Sequence, residues 1–359
     1  MDPRNYTNCS IHSFINFTLR INMKEIIIGV NEEGKRLDGF LKSYLPNASK
    51  GFIYKMLRKK NITLNNKKAD GLEKLQKNDS IKIFFSDDTM AKFRGKDSNT
   101  DFRNPSDIDL TQYGEIEIIF ENEHVLFASK PSGLLSQKAE ADDISINDWL
   151  IDYLLTKGQI TGESLDTYKP SICNRLDRNT SGIVICAKSL IGARIMNSML
   201  SDRSLDKFYI AVVSGKLTDS SLLKGYLRKD ADLNKVEILK DDPKDTNYSY
   251  IETYFTPVKY NPESDTTVLL VKLITGKPHQ IRAHLSKTGH PIIGDTKYGG
   301  RREKGINNQL LHSYKISFPK EMPVELSDLA GKEYIAPLPV EFSRYCSGGD
   351  LCPHGKQGD

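Results

Sequence analysis

The chain lacks any run approaching the ~20 apolar residues that a membrane helix needs, so a spanning segment is not expected. Cysteine is scarce and unpatterned: Cys9, Cys173, Cys186, Cys346 and Cys352 are odd in number and form no Cys-x-x-Cys pair. That speaks against a disulfide framework and against a zinc site. It suits a reducing cytoplasm. Cys352-Pro353-His354 lies in a Gly-rich stretch without further ligands. No glycine-rich phosphate loop and no metal triad occurs, so no cofactor and no metal are expected. Residues 1–22 show no basic start leading into an apolar stretch and a cleavage site. They are expected to be a non-native or disordered leader, with Met23 as the start of translation. The Asn-x-Ser/Thr triplets at Asn5, Asn8 and Asn16 are then chance.

Net charge is also small, +4 over 359 residues, and by itself names no partner. Its distribution is more telling. Lys24 to Phe85 holds 14 Lys+Arg against 7 Asp+Glu, a net of +7, which leaves −3 for the remainder. A basic N-terminal module suits a polyanion. Within it Leu37, Phe40, Leu41 and Tyr44 fall at helical spacing until Pro46. Ser49 can cap a second helix with Ile53, Met56 and Leu57 on its apolar side. Lys50, Lys55, Arg58, Lys59 and Lys60 occupy the other side. Strands are expected at 62–64 and 81–85. Residues 87–113 are polar and mixed in charge and read as a linker.

From residue 114 the pattern changes to strands: 115–120, 125–129, 171–172, 183–187, 209–214, 251–259 and 267–274. Helices are expected at 144–156, 190–201 and 279–288. Hairpin-joined strands with a few helices between them indicate an α+β fold with a largely antiparallel sheet. The catalytic domain is taken as 114–340, and 341–359 as a disordered tail.

The most informative stretch is Cys173 to Lys188. Arg175 and Asp177 lie in a polar loop that passes through Thr180-Ser181-Gly182, a turn signal, into the apolar run Ile183-Val184-Ile185. A carboxylate at the mouth of a buried strand is held by rigid backbone, as catalytic groups usually are. On spacing alone, a structural Arg–Asp pair at a strand start is the favoured reading.

The stretch resembles the His-Arg-Leu-Asp-x-x-Thr-Ser-Gly signature of the RluA-type RNA pseudouridine synthases. Four blocks follow in family order: Lys207-Phe208-Tyr209, Thr275-Gly276-Lys277-Pro278-His279-Gln280-Ile281-Arg282, Pro291 to Gly299, and Leu311-His312-Ser313. Lys130-Pro131-Ser132-Gly133 matches the family's entry motif. The likeness spans residues 114–320. Two positions depart: Asn174 stands where histidine is common, and Lys277 where arginine is.

The resemblance implies the pseudouridine synthase fold, a long mixed sheet with a central RNA cleft. It implies Asp177 as catalytic aspartate, Arg282 as the arginine holding it through a forked pair, and Tyr209 as active-site tyrosine. Arg175 would fill the space vacated by a flipped base, and Leu311 would pack against that base. His279, Gln280 and Thr275 read as scaffolding. Residues 23–86 resemble the RNA-binding module of ribosomal protein S-four, except that Lys60-Asn61 replaces the glycine usual after the second helix. Lys50, Lys55, Arg58, Lys59 and Lys60 would meet RNA. The function expected is isomerisation of uridines in bacterial 23S ribosomal RNA by a monomeric cytoplasmic enzyme. A transfer RNA synthase is the near alternative. A non-catalytic ribosome-associated RNA-binding factor, and a hydrolase using Cys173 and His279, are alternatives of other classes.

Overall fold

A computed structural model describes residues 21–29, 31–94, 115–162, 164–230, 235–346 and 349. They fall into two compact units, divided after Asp101.

The first unit runs β1 (Ile21–Ile27), α1 (Leu37–Tyr44), α2 (Lys50–Arg58), β2 (Ile62–Leu64), β3 (Ser80–Ser86) and α3 (Asp87–Arg94). Its sheet has the order β1-β3-β2, all antiparallel. The apolar stripes of both expected helices are buried on one core with Ile62, Ile81 and Ile83. Ser49 caps α2 by accepting the Phe52 N–H at 3.2 Å, which satisfies one of the donors a helix start leaves open. The turn after α2 keeps the geometry that glycine usually serves. Lys60 adopts φ +60°; its N–H reaches Leu57 O, and Asn61 N–H reaches Met56 O. That pair of bonds is a Schellman close.

Two boundaries differ from expectation. β1 begins at Ile21, inside the supposed leader, because Ile21 and Asn22 pair with Ser86 and Phe85. The supposed linker begins as α3, whose Met90 and Phe93 pack on the core of this unit. Phe93 lies 4.1 Å from Phe52, ring to ring. Two apolar residues three apart sufficed to dock a segment that composition marked as polar.

The second unit contains β4 (Ile118–Glu121), β5 (Val125–Lys130), α4 (Ile146–Thr156), β6 (Ser171–Ile172), β7 (Ser181–Ala187), α5 (Leu190–Asp202), β8 (Asp206–Ser214), β9 (Ser221–Asp230), β10 (Lys235–Leu239), β11 (Ser249–Asn261), β12 (Thr266–Leu273), α6 (Gln280–Lys287), β13 (Leu311–Ser317) and β14 (Glu333–Ile335). Eleven strands form one sheet in the order β10-β9-β11-β12-β8-β13-β7-β5-β4, with β6 on β7 and β14 on β13. Only β13–β7 is parallel. The sheet is thus mixed and mainly antiparallel.

Period-2 alternation splits β5 and β7 between two cores. Leu126, Ala128, Val184 and Cys186 join the larger one; Val125, Phe127, Ile183 and Ile185 join the smaller. Burial on both faces explains why β7 reads as an unbroken apolar run. The supposed tail also starts folded: Phe342, Tyr345 and Cys346 are buried. Residues 347–348 and 350–359 lie outside the described residues, as does most of the leader. Among the described residues no helix is long and apolar enough to cross a membrane.

Candidate active site

Asp177 sits in the loop between β6 and β7. The turn there is Asp177–Thr180, closed by Thr180 N–H to Asp177 O at 3.0 Å. Gly182 is not in it but inside β7. Its φ is +106°, and a Cβ there would stand 2.1 Å from Ser313 O of β13. The glycine of the Thr-Ser-Gly run therefore serves the close parallel pairing, not a turn.

The segment from Lys130 to Ser136 grips this loop by its carbonyls. The Lys130 ammonium is fully buried and donates to Pro131 O at 2.9 Å, Leu134 O at 2.7 Å and Arg178 O at 3.0 Å. Burial pushes it down to about 7, and Asp177 pulls the other way. Ser132 Oγ donates to Asn179 O, and Ser136 Oγ to Leu176 O while accepting from Leu176 N. Asn174 completes the mounting: its Oδ1 accepts Ile185 N–H at 2.7 Å, and its Nδ2 donates to Ile183 O at 3.3 Å. The residue that departs from the family signature is thus a backbone bridge to β7.

Arg282 comes from α6. Gln280 pins the start of that helix to β11, donating to Glu252 O and Thr253 Oγ1 and accepting from Thr275 Oγ1. Gln280 and Thr275 are scaffolding, as expected. The guanidinium makes three bonds: Nη1 to Asp177 Oδ2 at 2.8 Å, Nε to Asp295 Oδ2 at 2.6 Å, and Nη2 to Asp295 Oδ1 at 2.8 Å. The fork is therefore spent on Asp295, and Asp177 takes a single bond. Burial works to lower the Arg282 pKa, but Asp295 and then Asp177 more than offset it and raise it, so the guanidinium stays charged. The Tyr298 ring lies 5.0 Å beneath it.

Tyr209 projects from β8 and is buried with Leu311 in the larger core. Burial pushes its phenol up to about 12; the Ser313 hydroxyl bonded to it opposes this, and the Asp177 charge adds to it. At neutral pH Tyr209 is a phenol that can stack or relay a proton, and a phenolate is not its resting form. Arg175 is exposed and makes no hydrogen bond or ion pair among the described residues, so it stands outside the Asp177 network. Lys50, Lys55, Arg58, Lys59 and Lys60 are all exposed on the first unit. Cys173 is a poor nucleophile, since burial pushes its thiol to about 12. That speaks against the hydrolase alternative.

Asp295, Lys130 and Tyr298 lie within the family-like blocks, but nothing in the sequence marks them as site residues. Asp295 has a side chain 1% exposed. Its position thirteen residues after Arg282 carries no periodic signal; only the fold shows that the two meet.

A model of the RNA pseudouridylate synthase family matches residues 124–287. The ribosomal large subunit pseudouridine synthase C of Vibrio vulnificus is 29% identical over 337 residues, covering 87% of this chain and 95% of the relative. The chain is thus similar to the RNA pseudouridine synthases over most of its length. An uncharacterised RNA pseudouridine synthase of Mycoplasma genitalium is 29% identical over 301 residues, 82% of this chain and 89% of its own length. The structure of human RNA pseudouridylate synthase domain containing 1 shares the fold, with a TM-score of 0.51, 20% identity, and coverage of 66% of this chain and 89% of the human one. The chain is an enzyme that isomerises uridine in RNA.

Proposed function

We propose that this synthase acts on uridines of 23S ribosomal RNA in the bacterial cytoplasm, with Asp177 as its catalytic carboxylate. The relatives named for the large ribosomal subunit support the substrate. One observation carries the site: Asp177 commits Oδ2 to Arg282 while no donor among the described residues reaches Oδ1. A carboxylate so mounted is aimed and half free.

The reaction breaks the bond from uracil N1 to the sugar, turns the base, and rejoins it through C5. The proton lost from C5 balances the one N1 gains, so nothing is consumed. Oδ1 is the oxygen able to attack or deprotonate the substrate, while Arg282 stabilises the charge left on Oδ2. Tyr209 offers a face for an extruded base and a phenol to relay the C5 proton. Leu311 lies in the same core, and Arg175 takes the gap in the RNA stack. The first unit, an S-four-like module, brings Lys50, Lys55, Arg58, Lys59 and Lys60 to phosphates.

Two experiments test this. Asp177→Asn removes only the ionisable oxygen; turnover should vanish with RNA affinity kept within about threefold. Turnover near wild type would sink the catalytic assignment. Pseudouridines mapped in ribosomal and transfer RNA from a strain lacking the protein should be missing from 23S RNA. A loss confined to transfer RNA would replace the substrate and leave the chemistry standing.

A further inference from the structure

His279 does more than start a helix. It holds φ +54°, a left-handed conformation that costs a non-glycine residue about 1–2 kcal/mol. That conformation turns its ring between two partners. Nδ1 lies 2.9 Å from Tyr298 Oη, and Nε2 lies 3.8 Å from Asp177 Oδ2.

The tautomer follows from the hydrogen-bond count. Val236 N–H, from β10, donates to Tyr298 Oη at 2.9 Å. Tyr298 is buried, and among the described residues no other acceptor reaches its hydroxyl proton. If Nδ1 carried the imidazole proton, Tyr298 would accept twice and bury an unused donor, which folded proteins avoid. The hydroxyl therefore donates to Nδ1, and a neutral ring then carries its proton on Nε2. That proton faces the Asp177 oxygen already bound by Arg282.

Building on the catalytic role assigned to Asp177, we propose that His279 is a positioning residue. Tyr298 locks it as the Nε2–H tautomer, and it holds Asp177 by Oδ2 so that Oδ1 alone meets the substrate. The 3.8 Å gap closes on substrate binding, as catalytic hydrogen bonds that are long in the free enzyme commonly do. The groups facing the ring agree with a neutral donor. Burial, Arg282 and Lys297 keep its pKa below the ordinary value against Asp177 and Asp295. The device also ties β10, at one edge of the sheet, to the carboxylate through Tyr298.

Two replacements divide the ring. Asparagine supplies a group near Nδ1 and none near Nε2, and it tolerates φ > 0. Glutamine reaches the Nε2 position. On a 23S RNA transcript, His279→Asn should lower the single-turnover rate about tenfold with Kd unchanged. His279→Gln should stay within about threefold of wild type, melting curves showing both folded. A glutamine variant as slow as the asparagine one, or no loss in either, overturns the role.

The tautomer is read separately, by nitrogen NMR of full-length protein labelled at histidine. A protonated Nε2 and bare Nδ1 are expected at pH 7.5, and Tyr298→Phe should abolish that preference. A protonated Nδ1 in the wild type overturns the lock. This readout needs no turnover. An active Asp177→Asn would refute the catalytic assignment, whereas a wrong tautomer would refute only the lock on His279.

Discussion

Arg282 makes three hydrogen bonds to two carboxylates, and lysine cannot reproduce them. Arg282→Ala leaves Asp295 buried and unpaired, a change that typically costs about 3–5 kcal/mol. Arg282→Lys keeps the charge but loses the fork, with an expected cost of about 1–3 kcal/mol. Both should lower the single-turnover rate about a hundredfold, because an aim wrong by about 1 Å suffices for that. A lysine variant with wild-type rate and melting temperature would show that charge alone is needed. His312 predicts a pH effect. It is fully buried, with Nδ1 2.9 Å from Ser181 Oγ, and burial lowers its pKa to about 4. Between pH 6.5 and 4 the unfolded chain binds a proton there that the folded chain refuses. Stability from this group is therefore full above pH 6.5 and lost as pH falls towards 4, by up to about 3 kcal/mol. Urea melts of wild type and His312→Asn should converge across that window; parallel curves would mean His312 is protonated in the native state.

At the scale of elements, the close approach of β7 and β13 makes Gly182 irreplaceable. Gly182→Ala drives a methyl into the Ser313 carbonyl, within a backbone angle alanine avoids. The expected loss exceeds about 3 kcal/mol or soluble protein altogether, and near-normal melting would show that the pairing yields. Lys60 is the opposite case. Lys60→Gly relieves about 1–2 kcal/mol of left-handed strain against about 0.5–1 kcal/mol of added unfolded-state entropy. Denaturant unfolding of the first unit should move up slightly, and a loss would mean the lysine side chain earns its place. These two positions also show what periodicity can reveal. α1 and α2 were legible because their buried residues recur at helical spacing, β5 and β7 because both faces are buried and each reads as a short unbroken apolar run. β9 and β10 were not foreseen: their outward positions, Lys224, Arg228 and Lys235 among them, dilute the apolar signal. Asp177, Tyr209 and Arg282 were legible as ordered blocks. The fork to Asp295 and the Tyr298–His279 contact were not, because hydrogen bonds between side chains brought together only by the fold leave no repeat in the chain.

For the whole molecule, removing residues 1–101 takes away the +7 cluster together with α3, which packs on that unit. Binding to 23S RNA should weaken, and its salt dependence should flatten by about 0.9 per lost phosphate contact. Equal slopes for full-length and shortened protein would show that the module does not touch RNA. The catalytic unit carries a different consequence in its strand order. β13 is inserted between β7 and β8, with Ser313 opposite Gly182 on one side and Tyr209 on the other. Asp177 is thus mounted on the earlier half of the sequence, Tyr209 and Arg282 on the later, and a strand from near the end of the chain is the keel between them. Joining ends so far apart is slow. During synthesis the two sides of the site stay apart until that later strand has emerged and paired with both.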